Sequence, residues 1–352
     1  MTSERSRPAP FELDTRRVRR SFEMASATYD EAAVLQDQVR ARMLERLDLV
    51  RLNPGRILDA GSGTGLGAAA LARRYRGGKV IALDLAHGML LAGRARQRLW
   101  RRWGMVCGDV AALPLASGSV DMIFCNLVLQ WCPDLDLALS EFRRVLAPGG
   151  LLMFTTFGPD TLHELRAAWS KADGYNHVNA FLDMHDVGDA LLRARLAEPV
   201  MDVEHFVVDY DNARDLMRDL KAIGARNATA GRARGLTGPR RLRAMEAAYE
   251  SFRREGRLPA TYEVVYGHAW APEPRSDDSA NRRVTMKRYM ELPRRVTNGW
   301  VMVKRAPRGT LARPIRIIVA ILTIAPIKIT RKVRGRRHSW IASIVGPVAV
   351  SD

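Results

Sequence analysis

Residues 57–72 read ILDAGSGTGLGAAALA. A short apolar run enters Gly61, Gly63 and Gly65, and an alanine-rich run leaves them. The first run predicts a buried strand and the second a helix, with the glycines as the tight turn between. No side chain intervenes there, so a ligand can lie against the backbone. Two ligand classes use such a turn. A dinucleotide sets its pyrophosphate on the helix N-terminus. Gly63, Gly65 and Ala68 satisfy G-x-G-x-x-A, which is a weak signal alone. S-adenosylmethionine (SAM) has no phosphate and lays its methionine and ribose parts along the loop.

The strand ends discriminate between them. Asp59 stands just before the first glycine. A carboxylate there would face a pyrophosphate at close range, but it suits the cationic amino group of SAM. Asp84 ends the next apolar run, KVIALD, where it can accept from both ribose hydroxyls of either cofactor. Asp109 closes MVCGD, placed for an adenine amino group. Asn126 ends VDMIFCN, and Gln130 and Trp131 follow in LVLQW. Ligands of open parallel sheets sit outside the carboxyl ends of the strands, so these three border the reacting end of the cofactor. Each alone reads equally well as a turn amide, a core aromatic or a solvated acid; three successive strands ending in Asp do not follow from packing.

Apolar strands alternate with helical patterns from residue 56 to 157, as in GLGAAALARRY, GMLLAGRARQRLW and DLDLALSEFRRVL. That rhythm predicts a mostly parallel, Rossmann-like α/β sheet with helices on both faces. Residues 30–47 have helical periodicity before Pro54-Gly55, and residues 1–15 read as a loose start. VMDVEHFVVDY and ATYEVVYGHAWA predict two closing strands, with a helical insertion at about 211–256 before the last.

The net charge of +18 resembles a nucleic-acid signal, but its distribution does not. The chain from Glu273 on carries 18 Lys and Arg against 5 Asp and Glu, which leaves 38 against 33 for the first 272 residues. A mildly basic body suits an acidic partner, and we expect it to bind no nucleic acid. We read residues 273–352 as an unstructured or non-native extension. Its apolar run at 317–327 is too short to span a bilayer, which takes about 20 residues. With its flanking Arg and Lys, the tail can instead touch an anionic membrane or nucleic acid. Cys107, Cys125 and Cys132 fit neither a disulfide framework nor a metal site and read as core thiols of a reducing compartment. Acids follow VRRSFEM where an export signal would be apolar, so we expect a cytoplasmic protein.

LDAGSGTG, Asp84, GDVAALPLASGSVDMIFCNLVLQW and RVLAPGGLLMFTTFG together resemble a class I SAM-dependent methyltransferase over residues 56–158. VRRSFEMASATYDEAAVLQ, FGPDTLHELRAAW, FLDMHDVGDAL, DLKAIGARNA and LPATYEVVYGHAWAP narrow the likeness. They resemble the malonyl carrier-protein O-methyltransferases of biotin synthesis over residues 18–272; the tail departs from the pattern. The resemblance implies a seven-stranded sheet in one domain, 30–272. It implies SAM as cofactor and a malonyl thioester on acyl carrier protein, or on coenzyme A, as substrate. Residues 1–29 would partly cover the cofactor, with Tyr29 and Gln36 near it. Asp59, Gly61, Gly63, Gly65, Asp84, Leu85, Met89, Asp109, Val110, Asn126 and Gln130 would hold it.

A malonyl carboxylate is already ionised at neutral pH, since such acids titrate near about 4. Methyl transfer to it needs in-line attack and no proton removal, so we expect no acid/base pair and no metal. A cation must still select the carboxylate. Arg226 and Lys221 are candidates, then His177 and His185, with Trp131 nearby; each also reads as an ordinary solvated side chain. We expect a monomer. Rival readings are a methyltransferase of another small acid or a quinone, and a SAM-binding assembly protein without catalysis.

Overall fold

The computed structural model describes residues 13–97, 103–232, 235, 237–273, 318–319, 327–334 and 337–344. The strands of the body are β1 (Arg56–Ala60), β2 (Lys79–Asp84), β3 (Gly104–Cys107), β4 (Val120–Asn126), β5 (Leu146–Phe157), β6 (Ala197–Tyr210) and β7 (Leu258–Trp270). They lie in the order β6-β7-β5-β4-β1-β2-β3. β1 to β5 pair in parallel, and β7 runs antiparallel between β5 and β6. This is the mostly parallel seven-stranded class I methyltransferase fold that the sequence predicts, and the order reverses between β1 and β4.

Continuous apolar strands are buried on both faces. Ile57, Met122 and Phe124 join one apolar cluster with Val39 and Met43 of α3 (Val34–Arg46) and Leu71 of α4 (Leu66–Arg74). Their strand neighbours Leu58, Ile123 and Cys125 point the other way. There they meet Phe142 of α6 (Leu135–Val145) and Leu191 of α8 (Met184–Arg193). Between these helices come α5 (His87–Arg94) and α7 (His163–Ala172).

Two features differ from the sequence expectation. The loose start expected over residues 1–15 is already ordered at Asp14, which caps a helix, α1 (Thr15–Ala25), by accepting from the Arg17 N–H at 3.2 Å. The pattern at 30–47 is two helices, α2 (Tyr29–Ala32) and α3, because Ala33 leaves helical geometry at ψ 40°. The insertion before β7 is helical as expected, holding α9 (Ala213–Ala222) and α10 (Pro239–Tyr249).

The tail expectation falls mostly on residues outside those described. Where it is described, the chain is extended rather than unstructured. β8 (Ile318–Val319) and β9 (Ile327–Arg334) pair in parallel with β6, and β10 (Arg337–Ile344) pairs antiparallel with β9. The physical reason is that β6 otherwise presents an edge of unpaired N–H and C=O groups, which any available strand can satisfy. Among the described residues no helix is long and apolar enough to cross a membrane.

Gly267 in β7 sits where a Cβ would lie 2.2 Å from the Phe154 ring. Phe154 is fully buried and precedes Thr155, which anchors the end of β4. Gly267→Ala is expected to cost about 1–3 kcal/mol by overpacking, read as a lower urea midpoint at unchanged m-value.

Candidate functional site

β1, β2 and β4 deliver their last residues to one edge of the sheet, around the glycine turn. Gly61, Gly63 and Gly65 all have positive φ, a region that favours glycine. At Gly61 a Cβ would also lie 2.2 Å from a Val128 methyl. Gly61 N–H and Ser62 N–H donate to the Leu83 carbonyl at 2.7 and 2.9 Å, tying the turn to β2. Gly63 N–H donates to Asp84 Oδ2 and Ala86 N–H to Asp84 Oδ1, both at 2.8 Å. The backbone thus aims the Asp84 carboxylate along the turn.

Asp59 is 2% exposed. Its carboxylate accepts from the Ala68 N–H in the first turn of α4. Gly67 permits this, since a Cβ there would stand 2.7 Å from Asp59 Oδ2. Oδ2 has no hydrogen-bond partner. Burial pushes the Asp59 carboxyl up to about 7, and the nearby Asp84 charge adds to the rise. Burial likewise pushes Asp84 up to about 6, with Glu23 adding. Two carboxylates thus stand at neighbouring strand ends, one buried with an unpartnered oxygen and one partly exposed, and their like charges repel and make the turn strongly electronegative. Asp109 closes β3 in a turn of its own, accepting from the Ala111 N–H at 2.9 Å. Buried Met89 packs with Ala25, Ala86, Phe22 and Tyr29, which brings α1 and α2 over the β2 end. Val110 is buried, and Leu85 follows Asp84.

The end of β4 is built by hydrogen bonds. Asn126 Nδ2 donates to the Gln36 carbonyl at 3.2 Å, and Asn126 Oδ1 accepts from the Thr155 hydroxyl at 2.9 Å. Leu127 takes a left-handed φ of 54° with its N–H bound to Thr155 Oγ1. Gln130 Nε2 donates back to the Leu127 carbonyl. Gln36 Oε1 is buried without a partner, a second orphan acceptor.

A cleft with about 710 Å³ of empty space, part of it open to solvent, lies beside these groups. Tyr29, Gln36, Gln130 and Trp131 form one wall, and Phe157, Phe181 and Tyr262 supply much of the apolar surface. Trp131 is held edge-on by Phe22, with centroids 5.3 Å apart. Among the described lining residues, Arg226 is the one arginine or lysine, and its Nε is buried without a hydrogen-bond partner. His177 also lines the cleft, stacked on Trp169 at 3.7 Å with Nε2 held 2.7 Å from Asp173 Oδ1.

Two predicted substrate residues lie elsewhere. Lys221 is exposed in the last turn of α9, while its neighbours Leu220 and Ile223 face the cleft. His185 is exposed at the start of α8, where its backbone N–H and Nδ1 both meet the capping Asp183 carboxylate. Helical periodicity and a cap explain these positions, and neither residue reaches the cleft. The aromatic wall of Phe157, Phe181 and Tyr262 was missed, because only the topology brings three such distant core residues together. Outside the cleft, Asp160, His205 and Glu263 hold their donor atoms within 4.8 Å of one another, so the described residues do contain one group of metal-ligand type.

A family model described as a methyltransferase domain matches residues 58–154. A malonyl-[acyl-carrier protein] O-methyltransferase of Methylovorus sp. is 56% identical over 269 residues, 75% of this chain and 91% of that one. A protein of the same name from Laribacter hongkongensis is 58% identical over 273 residues, 75% of this chain and 92% of its own. The chain belongs to the malonyl-[acyl-carrier protein] O-methyltransferase family. Among solved structures, the YcgJ protein of Bacillus subtilis aligns over 66% of this chain and 98% of its own, with a TM-score of 0.48 at 14% identity.

The raised carboxyl of Asp59 has a stability consequence. Its value moves from 3.8 to about 7 on folding. Between those values the folded state holds the proton and the unfolded chain does not. The stability from this group is therefore fully present below about pH 4 and is lost as pH rises through 7. Asp59→Asn should raise the melting temperature of the free protein at pH 8 by about 2–8 °C, as one or two kcal/mol would. The gain should shrink by pH 5 in parallel melts.

Proposed function

We propose that the protein transfers the methyl group of SAM to the free carboxylate of a malonyl thioester on acyl carrier protein. The product is a methyl ester whose masked end lets the chain be elongated toward the pimeloyl part of biotin. One observation carries this reading. Two buried acceptors lack partners: Asp59 Oδ2 beside Gly67 at the glycine turn, and Gln36 Oε1, whose residue lines an apolar cleft in which Arg226 is the one arginine among the described lining residues. The orphan acceptors fit the ammonium group of SAM, which neither a phosphate nor water-free packing would satisfy. Asp84 fits its ribose hydroxyls and Asp109 its adenine edge.

SAM supplies an electrophilic methyl group; the protein's own residues have to orient and dry the site. Tyr29, Gln36 and Trp131 close the cofactor side of the cleft. Phe157, Phe181 and Tyr262 exclude water from the other side. Arg226 selects an acyl chain that ends in a carboxylate, because its unpartnered Nε is a fixed donor in an apolar wall. No proton has to move, so orientation and water exclusion carry the rate; such positioning contributes about 7–11 kcal/mol.

The test is transfer of labelled methyl from SAM to malonyl, succinyl and acetyl carrier protein offered side by side. Label on the malonyl form and none on acetyl is expected. Label on no carrier favours the binding-protein rival, and label only on an unrelated acid or quinone favours the other. Arg226→Gln should raise KM for the malonyl thioester while SAM affinity stays unchanged in calorimetry. Asp84→Ala should weaken SAM binding by about 1.5–3 kcal/mol through lost charged hydrogen bonds; unchanged affinity would remove Asp84 from the site.

A further inference from the structure

We infer that the basic rim running from α1 across residues 226–232 to the start of α10 is the surface on which the acidic carrier protein docks. This rests on the malonyl carrier-protein reading of the cleft. A cleft of about 710 Å³ admits the end of a thioester arm but not a folded protein. The carrier must therefore stop at the mouth, and the mouth has a definite charge.

Side-chain contacts join the rim into one surface. Arg17 Nε donates to the Asn227 carbonyl at 3.3 Å, and Asn227 Nδ2 donates to the Asn176 carbonyl. The Arg241 guanidinium lies 5.6 Å from the centroid of the Tyr175 ring and 4.0 Å from Asp173. Asn227 and His177, which is held by Asp173, both line the cleft. Arg16, Arg19, Arg20, Arg240 and Arg241 are exposed along this border.

Among the described residues, no carboxylate pairs with Arg16, Arg19, Arg20 or Arg240. Burial lowers the proton affinity of Arg17, the positive charge of Arg232 lowers it further, and Arg226 and Arg20 add to this, while Asp14 opposes it. The local acids are otherwise engaged: Asp14 caps α1, and Asp173 holds His177. Elsewhere in the insertion arginines are neutralised, Arg214 by Glu246, Arg218 by Asp215, Arg253 by Glu250 and Arg257 by Asp211. Like charges gathered beside the cleft favour a polyanionic partner and speed its encounter.

The experiment compares wild type with the double variant Arg20→Glu, Arg240→Glu on two substrates. One is malonyl carrier protein; the other is the malonyl thioester of N-acetylcysteamine, which has no carrier. The rim variant should lose about tenfold or more in kcat/KM with the carrier substrate, the scale of electrostatic steering. It should keep wild-type rates on the small thioester, wild-type SAM affinity and wild-type melting. Its activity with the carrier should also depend less steeply on salt. Arg73→Glu, Arg76→Glu changes the net charge equally at the far end of α4 and should leave both substrates unaffected. Equal losses in the two variants, parallel loss on the small thioester, or wild-type kinetics in the rim variant would overturn the surface. No transfer by wild type to either substrate would instead sink the malonyl reading, and the docking surface with it.

Discussion

The structure depends on an electrostatic imbalance. Asp59 and Asp84 stand at adjacent strand ends, and burial drives both carboxyls upward. A sheet alone would not place acids there, since nothing in the free protein satisfies Asp59 Oδ2. The arrangement costs folding stability at neutral pH. The glycines follow from it. Gly67 leaves room for the Asp59 carboxylate, and Gly63 offers its N–H to Asp84.

The rest of the molecule positions that edge. Parallel pairing of β1, β2 and β4 brings their carboxyl ends into line, and the reversal of strand order between β1 and β4 opens the crevice. Thr155 on β5 then fixes both Asn126 and the left-handed Leu127, so the wall after β4 is set by its neighbour. α1 is held between the cofactor side and the insertion. Thr28 Oγ1 donates to the Ala222 carbonyl at 2.9 Å, and Asp14 N–H donates to the Ala228 carbonyl at 3.0 Å. Both ends of the α1 segment are thus tied to the chain after β6, while Phe22 of α1 packs edge-on against Trp131 in the cleft wall.

Local signals were legible in the sequence, and long-range ones were not. The glycine turn and the strand-end acids read directly, because each depends on residues next to one another along the chain. Arg226 was legible only as a cation in a helical stretch; its place in the cleft comes from the loop after α9 folding back toward α1. Lys221 looked equivalent, yet it lies on the outer side of the same turn. His185 looked like a free imidazole, but Asp183 two residues earlier makes it part of a cap. The aromatic wall gave no signal, since Phe157, Phe181 and Tyr262 each look like ordinary core. The start of α1 was hidden by its arginines, whose helical face shows only in the spacing of Val18, Ser21 and Ala25.

The central claim is that a buried, unsatisfied carboxylate at the end of β1 awaits a cation. Carbon-13 NMR of the aspartate carboxyls, titrated with and without SAM and assigned with Asp59→Asn, measures it most directly. The account predicts that Asp59 titrates near 7 in the free protein and falls toward the ordinary carboxylate range once SAM is bound. An Asp59 titration that is ordinary in the free protein, or one that SAM leaves unmoved, would contradict it.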